Sequence, residues 1–145
     1  MSCKYVIKII LLGDSATGKT SFLNSLIHNE PTDKHTTTIG VDFFSKTVIT
    51  SKNTAVRLHI WDTAGQESFR SVVKAYYKCI AGALLFFDIT NRDSFNNLSY
   101  WLKELRTNNS SELLPIIMVG NKQDIRDRKV TIKEARQFAN DNNII

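Results

Sequence analysis

Apolar and polar positions fall into three patterns along the chain. "KYVIKIILL" (4–12), "AGALLFFDI" (81–89) and "PIIMVG" (115–120) are nearly continuous apolar runs, which predict strands buried on both faces of a sheet. Elsewhere the apolar residues recur at helical spacing. "TSFLNSLIHN" (20–29) places Phe22, Leu23, Leu26 and Ile27 in this way, and "RDSFNNLSYWLKELRTN" (92–108) does so with Phe95, Leu98, Leu102 and Leu105. Asp93 or Ser94 is the expected cap of the second helix. A last helix, "TIKEARQFANDN" (131–142), opens on the capping-box pattern Thr131-x-x-Glu134. The third pattern is alternation: "VDFFSKTVIT" (41–50) and "TAVRLHIW" (54–61), joined by "SKN", predict a β-hairpin.

Two stretches, "NEPTDKHTTT" (29–38) and "DTAGQESFRS" (62–71), have no period; the second leads into a short helical segment ending at Tyr77. The resulting order is β-α-β-β-α-β-α-β-α. Buried strands alternating with amphipathic helices predict an α/β fold: a mostly parallel sheet with one antiparallel hairpin strand and helices on both faces. No internal repeat or linker divides the 145 residues, so a single domain over 1–145 is expected.

Composition narrows the classes only slightly. Hydrophobic residues make up 42%, enough for a core, and the net charge is +5. The Lys and Arg residues are scattered with no run of four, so nucleic acid is not an expected partner. Cys3 and Cys79 lack metal-ligand spacing and read as free thiols of a reducing compartment. The apolar start runs directly into a glycine loop, unlike a signal peptide, and no apolar run approaches the ~20 residues of a membrane span. Ser2 stands where myristoylation requires Gly. The expectation is a cytosolic protein.

Chemistry concentrates at the ends of the predicted strands. "GDSATGKT" (13–20) follows a buried strand and opens a helix, the setting of a phosphate loop. There the backbone N–H groups and the helix N-terminus surround an anion. Lys19 can reach the β- and γ-phosphates, and the Thr20 hydroxyl can bind Mg²⁺. The phosphate-binding set is Gly13, Asp14, Ser15, Ala16, Thr17, Gly18, Lys19, Thr20 and Ser21. A kinase, a motor ATPase, a helicase or a GTP-driven switch could each carry this loop.

Three further stretches decide among them. "WDTAGQE" (61–67) supplies Asp62 as a Mg²⁺ partner, Gly65 as a backbone donor to the γ-phosphate, and Gln66 as an uncharged group able to orient an attacking water. "NKQD" (121–124) follows another strand. The Asp124 carboxylate can accept both N1–H and the exocyclic amine of guanine, a donor pair that adenine lacks. Asn121 can bond the opposite base edge, and the stem of Lys122 can lie along the purine. "TTTIGVDF" (36–43) supplies Thr38, which can complete the Mg²⁺ shell together with Thr20 and Asp62.

"GDSATGKT", "TIGVDF", "WDTAGQESFR", "YYKCIAGALLFFDIT" and "GNKQD" stand in the order and separations of a small GTPase of the Ras superfamily. The chain resembles its Rab family over nearly its whole length. The resemblance implies a P-loop NTPase with a Ras-like G domain, cycling between GTP and GDP with Mg²⁺ and serving as a switch in vesicle trafficking. It implies γ-phosphate-dependent loops at 30–42 and 63–77 that meet effectors, an exchange factor and a GTPase-activating protein. Phe43, Trp61 and Tyr76 match the aromatic triad contacted by Rab effectors. Intrinsic hydrolysis is expected to be slow, since no arginine finger is evident in cis.

The chain also departs from the family pattern. Pro31 stands where an aromatic usually stacks on guanine, and the Ser-Ala-Lys guanine loop is absent. The last strand and helix of the domain are expected to be missing, as is a C-terminal cysteine for prenylation. Membrane attachment, peripheral on endomembranes, would then require a lipid-bearing tail that these residues lack. Ala16 replaces a frequent glycine and is expected to take an ordinary backbone angle. The alternative function is a nucleotide-weak or GDP-locked interaction module without efficient cycling.

Overall fold

The computed structural model describes residues 5–28 and 37–145. Five strands form one sheet in the order β2-β3-β1-β4-β5: β1 (Tyr5–Leu12), β2 (Val41–Ile49), β3 (Ala55–Thr63), β4 (Gly82–Asp88) and β5 (Ile116–Asn121). The pairs β3–β1, β1–β4 and β4–β5 are parallel, and β2 lies antiparallel to β3 in the expected hairpin. β1 is central. The chain leaves it toward β2 and β3 on one side, while β4 leads to β5 on the other, so a crevice opens outside the carboxyl ends of β1 and β4.

The helices are α1 (Lys19–His28), α2 (Arg70–Lys74, preceded by a 3₁₀ turn at Glu67–Phe69), α3 (Arg92–Asn96), α4 (Leu98–Asn108) and α5 (Ile132–Asp141). Alternation along β1 sorts its side chains into two cores. Leu11 joins Ile60, Phe86 and Leu23 of α1 on one face. Ile10 and Leu12 join the larger core with Val73 of α2, Leu98, Trp101, Leu102 and Leu105 of α4, and Ala139 of α5. Helices therefore cover both faces.

Three local expectations are corrected. The helix expected over 92–108 is divided at Asn97, where ψ relaxes to −9°, although Asn97 N–H still donates to Asp93 O (2.9 Å). Its cap is Asn91, not Asp93 or Ser94. Asn91 has extended backbone, and its Oδ1 accepts from the N–H groups of Asp93 (3.0 Å) and Ser94 (3.3 Å). Ser94 lies one turn further in, where its Oγ accepts from Asp88 N–H (2.9 Å). β3 also continues two residues past Trp61, because Thr63 pairs with Val41 and its hydroxyl donates to Leu11 O (2.6 Å).

The capping box of α5 forms as its sequence specifies. Beyond it, Ile145 lies beside β5: its N–H donates to Ile116 O (2.9 Å) and its carbonyl accepts from Met118 N–H (2.7 Å). Among the described residues no helix is long and apolar enough to cross a membrane.

Candidate functional site

A cavity of about 320 Å³ lies at the carboxyl end of β1, lined by Ser15, Ala16, Gly18, Lys19, Thr20, Ser21, Thr37, Thr38, Thr63, Gly65 and Lys122. Six of these come from the 13–21 segment, so its loop backbone and the start of α1 form one wall.

Lys19 is only 5% exposed, with Nζ donating to the carbonyls of Gly13 and Asp14, each at 2.8 Å. Burial draws its pKa down to about 8, opposed by the charges of Asp62 and Asp14. The ammonium thus sits across the mouth of its own loop, with backbone carbonyls as its acceptors. Thr17 is buried, and its hydroxyl donates to Asp14 O (2.9 Å).

Ala16 does not take the ordinary angle expected of it: φ is +60°. A loop whose successive N–H groups turn inward alternates right- and left-handed backbone, and residue 16 falls on a left-handed position. Gly18 has φ +91°, and a Cβ there would stand 2.1 Å from Asn121 Nδ2. The positive φ is what calls for glycine, since the Asn121 amide is the movable end of a side chain. Asn121 Nδ2 donates to Thr17 O (3.0 Å), tying the NKQD segment to the 13–21 loop. Its amide nitrogen is therefore on the loop, where the sequence reading had placed it only toward a base.

Thr20, Thr38 and Asp62 converge from three separate segments. Thr20 Oγ1 lies 2.7 Å from Thr38 Oγ1 and donates to Asp62 Oδ2 (2.5 Å), and Thr38 Oγ1 is 3.4 Å from the same oxygen. Asp62 is fully buried at the end of β3, and its Oδ1 has no hydrogen-bond partner. Burial raises its carboxyl pKa, while the Thr20 hydroxyl and Lys19 oppose the rise.

This donor set fits Mg²⁺. All three side chains offer hard oxygens, one buried carboxylate oxygen stands unpaired, and no cluster of three His, Cys, Asp or Glu occurs among the described residues. Mg²⁺ takes one or two carboxylates and completes its shell with phosphate and water, unlike ions that need a full protein cage.

Gly65 closes the near side. A Cβ there would meet Asp14 C and Ser15 N at 2.2 Å, so the backbone lies directly on the Asp14–Ser15 peptide. Gln66 follows, half-buried, with its carbonyl accepting from Phe69 N–H (3.1 Å). It is not among the lining residues.

On the far side Lys122 lines the cavity with φ +66°, and its Nζ pairs with Asp88 Oδ2 at 2.7 Å. Asp88 ends β4, and its other oxygen accepts from Thr90 N–H (2.8 Å) and Thr90 Oγ1 (2.7 Å). Burial opposes ionisation of Asp88, but its bonds from Lys122 and Thr90 outweigh it and lower the pKa. With its head fixed, the Lys122 stem is held as cavity wall. Asp124 is exposed and does not line the cavity.

Asp14, expected in the phosphate set, turns its carboxylate elsewhere. Oδ1 accepts from Trp101 Nε1 (2.8 Å) and Oδ2 from Asn97 Nδ2 (2.6 Å), both of the α3–α4 segment. Sequence reasoning missed four residues here: Thr37, Thr63, Asp88 and Trp101. The periodicity of 92–108 marks Trp101 neither as core nor as partner, and a strand-ending aspartate at 88 was the only available signal for its ion pair. Pro31, and the 30–36 part of the first expected switch loop, lie outside the described residues.

The aromatic triad forms a contiguous patch. Phe43 and Trp61 ring centroids are 4.7 Å apart, Trp61 and Tyr76 are 5.0 Å apart, and Phe43 is 48% exposed.

The model of the Ras family matches residues 8–145. Ras-related protein Rab-11C of Dictyostelium discoideum is 46% identical over 142 residues, covering 97% of this chain and 62% of that protein. Ras-related protein Rab-4A of Danio rerio is 44% identical over 142 residues, 97% of this chain and 66% of its own length. Ras-related protein Rab-4 of Dictyostelium discoideum is 45% identical over 143 residues, with 97% and 68% covered. The chain thus spans less than two thirds of the length of the first two relatives.

Proposed function

Because the chain belongs to the Ras family, among its Rab members, we propose that it is a Rab-like small GTPase: a G domain over 1–145 that binds GTP and GDP with Mg²⁺ and hydrolyses GTP slowly. The observation that carries this reading is the meeting of Thr20, Thr38 and Asp62 beside the Lys19-headed loop, with one buried carboxylate oxygen unpaired.

In this reading the loop N–H groups and Lys19 hold the phosphates, and Thr20, Thr38 and Asp62 hold the ion. Bound Mg²⁺ would neutralise charge on the β- and γ-oxygens. Gly65, which lines the cavity against the Asp14–Ser15 peptide, offers its N–H to a terminal phosphate in this reading. Gln66 orients the attacking water once that phosphate is in place. Asn121, Lys122 and Asp124 form the guanine side, with Asp124 accepting the paired N–H donors of the base. Thr38 and Gly65 line the cavity from two different segments, and in this reading both meet the γ-phosphate. Loss of the γ-phosphate therefore removes a contact common to 37–42 and 63–77, the basis of a switch. The patch of Phe43, Trp61 and Tyr76 adjoins both segments and is the proposed effector surface, in service of vesicle trafficking on endomembranes. Among the described residues no observation favours the nucleotide-weak alternative.

The test is to denature the purified protein, identify the released nucleotide, and follow single-turnover GTP hydrolysis with and without Mg²⁺. Guanine nucleotide and Mg²⁺-dependent turnover are expected; recovery of ATP would overturn the base assignment. Gln66→Leu should slow hydrolysis by about a hundredfold while GDP affinity stays within about threefold. Unchanged hydrolysis would remove Gln66 from the mechanism.

A further inference from the structure

Asp14 is a junction as well as a loop residue. Its carbonyl accepts from Lys19 Nζ and Thr17 Oγ1, and its peptide lies against Gly65. Its carboxylate is held by Trp101 Nε1 and Asn97 Nδ2. A charged acceptor taking two N–H donors at 2.8 and 2.6 Å is a strong fixed link, about twice as strong as between neutral groups. The donor in the core is Trp101, only 1% exposed.

The same stretch of α4 carries α2. The Arg70 guanidinium, at the first residue of α2, lies 4.2 Å from the Tyr100 ring centroid and 6.0 Å from that of Trp101. Those two rings meet edge to face at 5.4 Å. Arg70 Nε is buried without a hydrogen-bond partner, so the aromatic faces support the guanidinium. One turn on, Lys74 Nζ lies 3.1 Å from Glu104 Oε2.

We propose that Trp101 is a positioning residue that couples the phosphate loop to α2: its indole N–H fixes Asp14, and its ring with Tyr100 supports Arg70. This rests on the GTPase reading and adds to it a second route between nucleotide and the 63–77 segment, separate from the direct approach of Gly65. A phosphate drawn into the loop moves the Asp14 peptide and changes the load on the indole N–H. Freeing Arg70 from the rings loosens the support of Asp14 in return, since linkage is reciprocal.

The experiment is ¹⁵N NMR of the full chain, whose two tryptophans give two indole resonances. Trp101→Phe identifies which belongs to residue 101. Its resonance should move when Mg·GDP is exchanged for Mg·GTPγS. A fluorescent GDP then reports nucleotide release. Asp14→Asn and Arg70→Leu should each speed release by roughly three- to tenfold, and the double variant by clearly less than the product of the two. GDP bound with a static Trp101 resonance, or strictly multiplicative rates, overturns the coupling alone. A wild-type protein that binds no GDP overturns the GTPase reading and this proposal with it. The resonance measurement follows the wild-type protein, and Trp61→Phe assigns the two resonances equally well if Trp101→Phe fails to fold, so it stands without the release variants.

Discussion

Cys79 and Ala16 hold left-handed backbone, φ +59° and +60°, where a side chain is strained. A Cβ in that region costs about 1–2 kcal/mol, and glycine gives back about 0.5–1 kcal/mol through its freer unfolded chain. Cys79 is exposed and outside the cavity. Cys79→Gly should therefore raise unfolding free energy by about 0.5–1 kcal/mol, measured by urea titration. No gain would show the strain to be relieved elsewhere. Ala16 has the same strain but lies in the cavity wall, where left-handed backbone turns the loop N–H groups inward. The loop that lines the cavity was legible as one unit because glycine, lysine and threonine stand at fixed offsets on one continuous segment. The angle at Ala16 was not, since a small side chain tolerates either hand and the choice is made by closure of the loop. Asp14 shows the same limit: its offset marks it as part of the loop, but its carboxylate partners arrive from Asn97 and Trp101.

At the scale of elements, α5 shows sequence acting most directly. Thr131 Oγ1 accepts from Glu134 N–H (3.2 Å), and Glu134 Oε2 accepts from Thr131 N–H (2.9 Å) and Oγ1 (2.7 Å). Arg92 NH1 adds a bond to Glu134 Oε1 (2.7 Å), joining α5 to α3. The Arg92 bond first, then those from Thr131, lower the Glu134 pKa from 4.5 to about 2. A depressed carboxylate stabilises the fold fully above pH 4.5 and loses that contribution as pH falls from there toward 2. Wild type should exceed Glu134→Gln in stability at neutral pH, and the gap should close over that window. A gap independent of pH would place the stabilisation in packing. The capping box was readable because both partners sit within one turn of helix. The α3 cap was misplaced because Asn91, Asp93 and Ser94 are all good capping residues. Ser94 was drawn instead to the end of β4, a contact that depends on where the sheet lies.

For the whole molecule, the sheet order places the ends of β1, β3 and β5 around one cavity, so a ligand bound there would be linked to fold stability. Mg·GDP at a hundredfold excess over its Kd should add about 2.7 kcal/mol, or roughly 5–10 °C in Tm, while Mg·ADP adds little. Equal shifts from the two nucleotides would count against guanine selectivity. Among the described residues, the sequence by itself determined the class of every strand and long helix, the hairpin and the glycine loop that opens α1. Each depends on period or on neighbours a few residues apart, and local sterics and one-sided burial suffice to specify them. Tertiary structure decided what depends on distance in space. It brought Thr20, Thr38 and Asp62 together across 18 to 42 positions of chain, put Lys122 on Asp88, and laid Asn121 against Thr17. It also gave Asp14 to Trp101, 87 residues away. Such contacts are set by strand order and register, which fix side chains from remote segments in one frame. No local pattern encodes that frame.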